Sequence, residues 1–133
     1  MKKYIIVGLI VIVLIISVYL LFTVILNPSR GVIKNELLKV TPIGTSMEDV
    51  ISAIESKNKW KIRYIDYESG YRIDKYGNPD FTYMPQFYTV VGEKSIEVFI
   101  GVYLKGIYVS AYYAFDENSN LIDILVYKEW DLP

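Results

Sequence analysis

The chain has 133 residues, 53% of them hydrophobic, with a formal net charge of −1 and neither histidine nor cysteine. This absence excludes imidazole and thiol catalysis, His/Cys zinc sites, disulfide bonds and a lipid-modified cysteine. We therefore expect no enzymatic activity, no cofactor and no metal. All 15 acidic residues lie after Gly31, as do all of the 14 basic residues except Lys2, Lys3 and Arg30, so this part has a net charge of about −4. That balance argues against nucleic acid and against an anionic membrane surface as partners.

An uncharged segment lies near the N-terminus, from Tyr4 to Leu26, and reads YIIVGLIVIVLIISVYLLFTVIL. As an α-helix it would measure roughly 35 Å, enough to cross a hydrocarbon core of about 30 Å. It is longer than the apolar region of a secretory signal, and bulky Ile25 and Leu26 stand where cleavage requires small residues. The segment predicts one transmembrane helix kept as an uncleaved anchor, with the lipid bilayer contacting residues 4–26.

The charges on either side of this segment predict its orientation. Lys2 and Lys3 precede it, whereas Arg30 and Lys34 follow it and are partly balanced by Glu36. The positive-inside rule therefore favours a cytoplasmic N-terminus, and the short N-terminal tail is typical of a signal anchor. We expect a single-pass protein of the cell membrane whose C-terminal domain is extracytoplasmic.

Asn27-Pro28 is expected to end the membrane helix, because proline lacks a donor and restrains the residue before it. The chain is thereby divided into a cytoplasmic tail and anchor at 1–27, a hinge at 28–31 and an extracytoplasmic domain at 32–133. Val32–Val40 has apolar residues at helical spacing and predicts a short amphipathic helix at the start of that domain.

The segment GTSMEDVISAIE, residues 44–55, predicts a second helix of the domain with a well-specified start. Thr45 with Glu48, or Ser46 with Asp49, has the spacing of a capping box. Apolar residues recur at i, i+3, i+4 and i+7, so they lie on one face of the helix. That face must be covered by a sheet or by another helix. The four apolar residues are Met47, Val50, Ile51 and Ile54.

Four segments of the domain predict strands, and alternation in the first places Trp60, Ile62 and Tyr64 on one face. The last three segments are joined by short turns, so we expect an antiparallel meander, with a bulge at Gly101. The fold class is α+β: an N-terminal transmembrane helix, then a two-layer domain with one or two short helices packed on a four-stranded antiparallel sheet. The predicted strands are Trp60–Tyr67, Ser95–Leu104, Ile107–Phe115 and Leu121–Trp130.

A long connection, Glu68–Lys94, joins the first two predicted strands and contains six aromatic residues. Connections of this length in a small domain are functional or loosely ordered, and six aromatic residues are too many for a solvated linker. We expect it to fold back partly over the open face of the sheet, leaving some of its aromatic side chains accessible to a protein or a cell-wall glycan. The candidate partner-binding residues are Tyr71, Tyr76, Phe81 and Tyr83.

Two groups of polar residues allow other interpretations. Asp66 and Glu68 are two residues apart, as a paired acid and base on one strand face would be, although a solvent-facing strand edge explains them better. In the segment DENSN, residues 116–120, alternate oxygen-bearing side chains match the first ligand positions of a calcium loop. The sixth position is Leu121 and the twelfth is Tyr127, where such a loop has glycine and glutamate, so a hairpin turn is favoured.

The segment IGTSMEDVISAIE, followed by a strand, a long loop and a three-stranded meander, resembles the SmpA/OmlA, or BamE-like, domain. It also resembles the related β-lactamase-inhibitor-protein-like fold. These families begin with a G-x-[ST]-x-x-[DE]-V helix entry, which Gly44, Ser46, Asp49 and Val50 match. The resemblance implies a binding or scaffold domain and not an enzyme. The chain departs from the BamE-like pattern in having a protein anchor in place of a lipidated cysteine, so a role in outer-membrane assembly is not implied.

These observations favour a single-pass bacterial membrane protein that displays a small non-catalytic binding or scaffold domain outside the cytoplasm. One alternative is an immunity or inhibitor protein that blocks a secreted toxin or enzyme through its tyrosine-rich face. A second alternative is a small carboxylate-dependent enzyme acting on cell-wall glycan, for which Asp66 and Glu68 are the only candidates.

Overall fold

A computed structural model of the chain describes residues 1–82, 84–103 and 106–130. A four-stranded antiparallel sheet forms the centre of the domain, with strand order β1-β4-β5-β6, and helices pack on it. This confirms the predicted α+β fold. A separate two-stranded sheet pairs β2 with β3, and a short 3-10 helix, Pro85–Phe87, precedes β3. In chain order the elements are α1 (Lys2–Leu26), α2 (Arg30–Val40), α3 (Met47–Glu55), β1 (Lys61–Asp66), β2 (Tyr71–Ile73), β3 (Thr89–Val91), β4 (Lys94–Tyr103), β5 (Ile107–Phe115) and β6 (Leu121–Trp130).

The register of the main sheet confirms the meander of β4, β5 and β6 and places β1 beside β4. The register of β4 against β5 shifts between Phe99 and Gly101, where Gly101 has a φ of 156° that favours glycine. The bulge predicted at Gly101 is therefore confirmed. Two rows of paired residues cross all four strands and pass through the two ends of β1. One row is Lys61, Phe99, Ser110 and Tyr127, and the other is Asp66, Ser95, Ala114 and Asp123.

One face of the main sheet forms the core with α2 and α3. Ile33 and Leu37 of α2, and Val50 and Ile54 of α3, are buried against residues such as Ile124. Both helices therefore contribute to the core through apolar residues at helical spacing, as the sequence predicts. Burial of several such side chains, each worth about 1.5–3 kcal/mol, fixes the helices on this face.

The start of α3 shows which of the two predicted caps forms. The Oγ atom of Ser46 accepts a hydrogen bond from the Asp49 backbone N–H at 3.2 Å, so Ser46 is the N-cap. The hydroxyl of Thr45 donates to the Pro42 carbonyl oxygen at 2.6 Å. The cap predicted at Thr45 is therefore wrong, because its hydroxyl already serves the turn that precedes the helix.

The alternation predicted for the first strand is interrupted. The register of β1 against β4 shifts between Ile62 and Tyr64, so Ile62 and Ile65 both pack against the core. As a result Tyr64 is exposed on the opposite face, contrary to the prediction. A bulge changes the face of every following side chain, and simple alternation cannot reveal it.

The helix α1 contains the segment Lys2–Thr23, which is long and apolar enough to span a membrane and makes no buried contact with the domain. The second helix begins at Arg30, two residues earlier than predicted, because Ser29 caps it by accepting from the Val32 backbone N–H. The predicted hinge at 28–31 therefore belongs partly to a helix.

Side chains of the domain hold the junction between α1 and α2. The Nζ atom of Lys128 donates to Asn27 Oδ1 at 2.7 Å and also to the carbonyl oxygen of Pro28. The guanidinium carbon of Arg30 lies 5.4 Å from the centroid of the Tyr127 ring. Both Tyr127 and Lys128 belong to β6, so the junction after α1 is attached to the edge of the main sheet.

The connection between β1 and β4 folds back over the other face of the main sheet, as predicted. Within it β2 and β3 pair, with Tyr71 opposite Val91 and Ile73 opposite Thr89. The Tyr71 side chain packs in a second apolar cluster with Tyr112 and Ala114 of β5. Each face of the main sheet is thus covered by apolar contacts, one by helices and the other by this hairpin.

Candidate functional site

A cleft of about 260 Å³ lies between the hairpin and the outer face of the main sheet. Its wall combines carboxylate side chains with aromatic rings, and its size and open mouth suit a small ligand or one side chain of a partner. The residues that line it are Tyr64, Asp66, Gly70, Tyr71, Arg72, Pro79, Asp80, Phe81, Ser95, Glu97 and Tyr112.

The end of β1 positions one side of the cleft. Asp66 Oδ1 accepts hydrogen bonds from the backbone N–H groups of Glu68 and Ser69, each at 2.9 Å, and thereby turns the chain towards β2. The next residue is Gly70, where a Cβ atom would lie 1.9 Å from the carbonyl oxygen of Val91. Only glycine permits this close approach, which holds the start of β2 against the end of β3 beside the cleft.

Two tyrosines form the floor of the cleft. Tyr71 is 7% exposed, and its hydroxyl donates to Asp123 Oδ2 at 3.3 Å. Its ring meets that of Tyr112 edge-on, with centroids 6.1 Å apart, and the Tyr112 hydroxyl donates to Glu97 Oε1 at 3.1 Å. Burial raises the pKa of both hydroxyls, and the adjoining carboxylates, Asp123 and Glu97, raise each pKa further. Both hydroxyls are thus fixed hydrogen-bond donors at neutral pH.

The burial of Tyr71 corrects one prediction. Tyr71 was expected to remain accessible to a partner, but it packs beneath the hairpin because β2 lies directly on β5. The cross-sheet contact with Tyr112 joins residues that are far apart in the sequence, so the local loop composition gives no sign of it. Tyr71 belongs to the floor and supports the cleft from below.

Asp80 carries the most unusual polar group of the cleft. Its side chain is 8% exposed, and Oδ1 accepts from the Thr82 backbone N–H at 2.8 Å. Its Oδ2 atom has no hydrogen-bond partner among the described residues. A buried carboxylate oxygen without a donor is unfavourable by about 1–3 kcal/mol or more, so a ligand that brings a donor or a positive charge to this wall is favoured.

The rim of the cleft is aromatic. Phe81 is 59% exposed, and Tyr64, which the bulge in β1 turns outward, is also exposed. On the same side of the hairpin the guanidinium carbon of Arg72 lies 5.2 Å from the centroid of the Tyr88 ring. Exposed rings above a polar floor provide flat apolar contact for a ligand whose polar groups reach the carboxylates.

The candidate residues from the predicted aromatic loop do not lie together. Phe81 lies at the rim of the cleft, as a partner-binding residue would. Tyr76 is 75% exposed but lies in the turn Asp74–Asn78 and does not line the cleft. Tyr83 lies outside the described residues. Of the four candidates, Tyr71 and Phe81 line the cleft in the described part of the chain, Tyr71 at its floor and Phe81 at its rim.

The structure also shows where the two polar groups that allowed other interpretations lie. Asp66 lines the cleft, whereas Glu68 is exposed and does not line it, so the structure does not bring this pair together there. Asp116 Oδ1 accepts from the backbone N–H groups of Asn118 and Asn120, each at 2.9 Å, which confirms the hairpin-turn interpretation. Within the described ranges, no group of three or more acidic side chains is arranged to hold a metal ion.

Sequence reasoning missed eight of the eleven lining residues of the cleft, among them Tyr64, Asp80, Glu97 and Tyr112. Tyr112 and Glu97 lie opposite each other in the register of β4 and β5, and a polar pair within two otherwise apolar strands was the one available signal. Comparisons of the chain with models of known protein families, with curated proteins and with solved structures find no match.

Proposed function

We propose that this chain is a single-pass protein of the cell membrane that displays a non-catalytic binding domain outside the cytoplasm. In this proposal the cleft binds one group of a protein or cell-wall glycan partner. The resemblance of the sequence to the BamE-like domain, itself a proposal, agrees with a binding or scaffold role. The absence of histidine and cysteine supports binding over catalysis.

The observation that carries this proposal is the combination of exposed rings and an unsatisfied carboxylate in one cleft. Phe81 and Tyr64 present apolar surface at the rim, and Asp80 Oδ2 lies in the wall without a hydrogen-bond partner in the described part of the chain. Binding sites characteristically join an apolar lining to a few convergent polar groups. A partner that fills the cleft would cover the rings and provide a donor or a positive charge near Asp80.

The location rests on different observations. The segment Lys2–Thr23 of α1 is apolar enough to span a membrane, and Lys2 and Lys3 precede its apolar residues. If the domain is extracytoplasmic, protease added to intact protoplasts will digest it and leave the anchor. Protection of the domain in intact protoplasts, together with digestion after lysis, would place it in the cytoplasm instead.

The cleft is tested with a double variant, Tyr64→Ser with Phe81→Ser, in the full-length chain. Retention of proteins solubilised from the cell's own membranes and binding to purified cell-wall glycan are both measured. We expect the double variant to lose the partner that the unchanged chain retains. Because both rings are exposed, its melting temperature should change little.

The matched control is Tyr67→Ser, which removes an exposed tyrosine outside the cleft. It should retain the partner as the unchanged chain does. Equal retention by all three proteins would show that the cleft does not carry the binding.

A further inference from the structure

The end of the sheet that holds the anchor is defined by direct contacts. The guanidinium of Arg30 lies over the Tyr127 ring, and Lys128 bonds to Asn27 and Pro28 at the end of the anchor. Tyr127 belongs to the row of paired residues that begins at Lys61 of β1. Lys61 and the residues just before it therefore lie at the same end of the sheet as the anchor.

The hairpin brings a second segment to this end. The Nη1 atom of Arg30 donates to Asn78 Oδ1 at 3.2 Å, which places the turn Asp74–Asn78 beside the first residue of α2. Tyr76 in this turn is 75% exposed, and the Nζ atom of Lys75 lies 4.8 Å from its ring centroid. An exposed tyrosine with an adjoining lysine thus projects next to the junction with the anchor.

The distance to a bilayer follows from helix geometry. If the segment Lys2–Thr23 spans the hydrocarbon core, the three further helical residues to Leu26 add roughly 5 Å along the axis. The headgroup layer extends about 5–8 Å beyond the hydrocarbon on each side. The junction, and with it the Arg30–Asn78 contact, then lies at the level of the headgroups.

Charge is separated along the domain in the same direction. Lys57, Lys59 and Lys61 are exposed in and around the α3–β1 connection, at the end that carries the anchor. At the opposite end, beyond the row that begins at Asp66 and in the first turn of α3, the exposed side chains are mainly acidic. These acidic residues are Glu48, Asp49, Glu68, Glu93 and Glu117. Exposed Glu55, at the end of α3, and exposed Glu129, beyond Tyr127 in β6, also lie towards the anchor end, where the lysines outnumber them. One end of the domain is therefore basic on balance and the other acidic.

We propose that one surface of the domain docks on the headgroups of the bilayer that holds α1. This basal surface consists of Lys57, Lys59, Lys61, Lys75 and Tyr76. The inference rests on the proposed function, because it requires that α1 spans the membrane. Tyrosine is favoured at the membrane–water interface, where its ring is apolar and its hydroxyl is solvated. Each lysine near an anionic surface strengthens binding roughly fivefold, so the preferred lipids carry a negative headgroup.

This proposal separates Tyr76 from Phe81, the two exposed aromatic residues predicted to bind a partner. Tyr76 belongs to the basal surface, whereas Phe81 lies at the rim of the cleft. A docked domain would hold the cleft at a fixed height and orientation above the bilayer. The exposed tyrosine is then a contact with lipid, and the cleft remains free for the partner.

The absence of cysteine permits a direct test, because one introduced cysteine can be labelled uniquely. The full-length Tyr76→Cys chain is labelled with a small fluorophore and reconstituted into vesicles that contain headgroup-level nitroxide lipid. The vesicles are of phosphatidylcholine alone or of phosphatidylcholine with phosphatidylglycerol. The matched control is Tyr67→Cys, since Tyr67 is also exposed but follows Asp66 at the opposite end of the sheet.

We expect several-fold stronger quenching at position 76 than at position 67, and a further increase when phosphatidylglycerol is present. Replacing Lys57, Lys59 and Lys61 together with glutamine should remove that increase. Equal, weak quenching at both positions in chains that float with the vesicles would overturn the docking proposal and leave the basal surface free for a protein partner. Chains that do not float with the vesicles would instead overturn the membrane anchor itself.

Discussion

At the residue scale, tyrosine has two different roles in this domain. Tyr76 is exposed near the anchor, whereas Tyr113 is fully buried in the core. The Tyr113 hydroxyl has no hydrogen-bond partner among the described residues, and the Thr41 hydroxyl beside it donates to the Leu37 carbonyl instead. Burial raises the pKa of Tyr113 to about 12. The abundance of tyrosine in the sequence therefore does not by itself indicate a binding surface.

Tyr113→Phe tests this buried hydroxyl. At pH 7 we expect the free energy of unfolding to stay unchanged or to rise by up to about 1–3 kcal/mol, because an unsatisfied polar group is removed. The measurement is urea unfolding of the full-length chain in detergent micelles, followed by circular dichroism. A loss of stability at pH 7 would show that the hydroxyl has a favourable partner.

The same variant should change the pH dependence. The folded pKa of Tyr113 lies above the unfolded value of 10.0, so the unfolded chain ionises first and the free energy of unfolding falls as the pH rises from 10 towards 12. The loss amounts to about 1.4 kcal/mol for each pH unit in that window. Tyr113→Phe should lose less stability above pH 10 than the unchanged chain. Identical pH profiles would contradict the raised pKa.

At the scale of elements, the sequence predicts the helices and strands that are specified by a local pattern of residues. The helices and the four long strands are found near their predicted positions, because apolar periodicity and turn residues specify each one. The pair β2 and β3 was missed, since each has three residues and their pairing, with Tyr71 opposite Val91, depends on a contact across the long connection. The cleft was not predictable for the same reason, because its floor joins β2 to β5.

The cap of α3 gives a prediction at this scale. Ser46→Ala should lower the free energy of unfolding by about 1 kcal/mol, because the Asp49 backbone N–H loses its acceptor. Thr45→Ala is the matched control and should change it by less than about 0.5 kcal/mol, since the Thr45 hydroxyl serves an exposed turn. Melting temperatures of the two variants in micelles distinguish them. A larger loss in Thr45→Ala would show that the helix is capped in the other register.

At the scale of the whole molecule, the domain is attached to the end of α1 by more than the peptide chain. Lys128 bonds to Asn27 and Pro28, and Arg30 contacts both Tyr127 and Asn78. Partial burial lowers the pKa of Lys128, and the nearby Arg30 charge lowers it further. The segment expected to be a hinge is therefore fixed to the last strand of the sheet.

Lys128→Met should loosen this attachment. Without the hydrogen bonds to Asn27 and Pro28, we expect trypsin to cleave after Arg30 roughly fivefold faster, because a hydrogen bond from a charged group is lost. Cleavage is followed by mass spectrometry of the reconstituted chain. Lys94→Met is the control, since Lys94 bonds to Ser119 at the other end of the sheet. Equal cleavage in both variants would show that Lys128 does not hold the junction.

The hydrogen bond between Lys128 and Asn27 can form only late in synthesis, because its partners are 101 positions apart in the chain. At a synthesis rate of about 5–20 residues per second, the ribosome delivers β6 roughly 5–20 s after the end of the anchor. Throughout that interval α2 lacks the strand it packs on, and β5, once it is made, has an unpaired edge until β6 follows. Nascent chains stalled so that β6 is still inside the ribosome should be sensitive to protease, and those that expose β6 should be resistant. Completion of the domain therefore waits for β6.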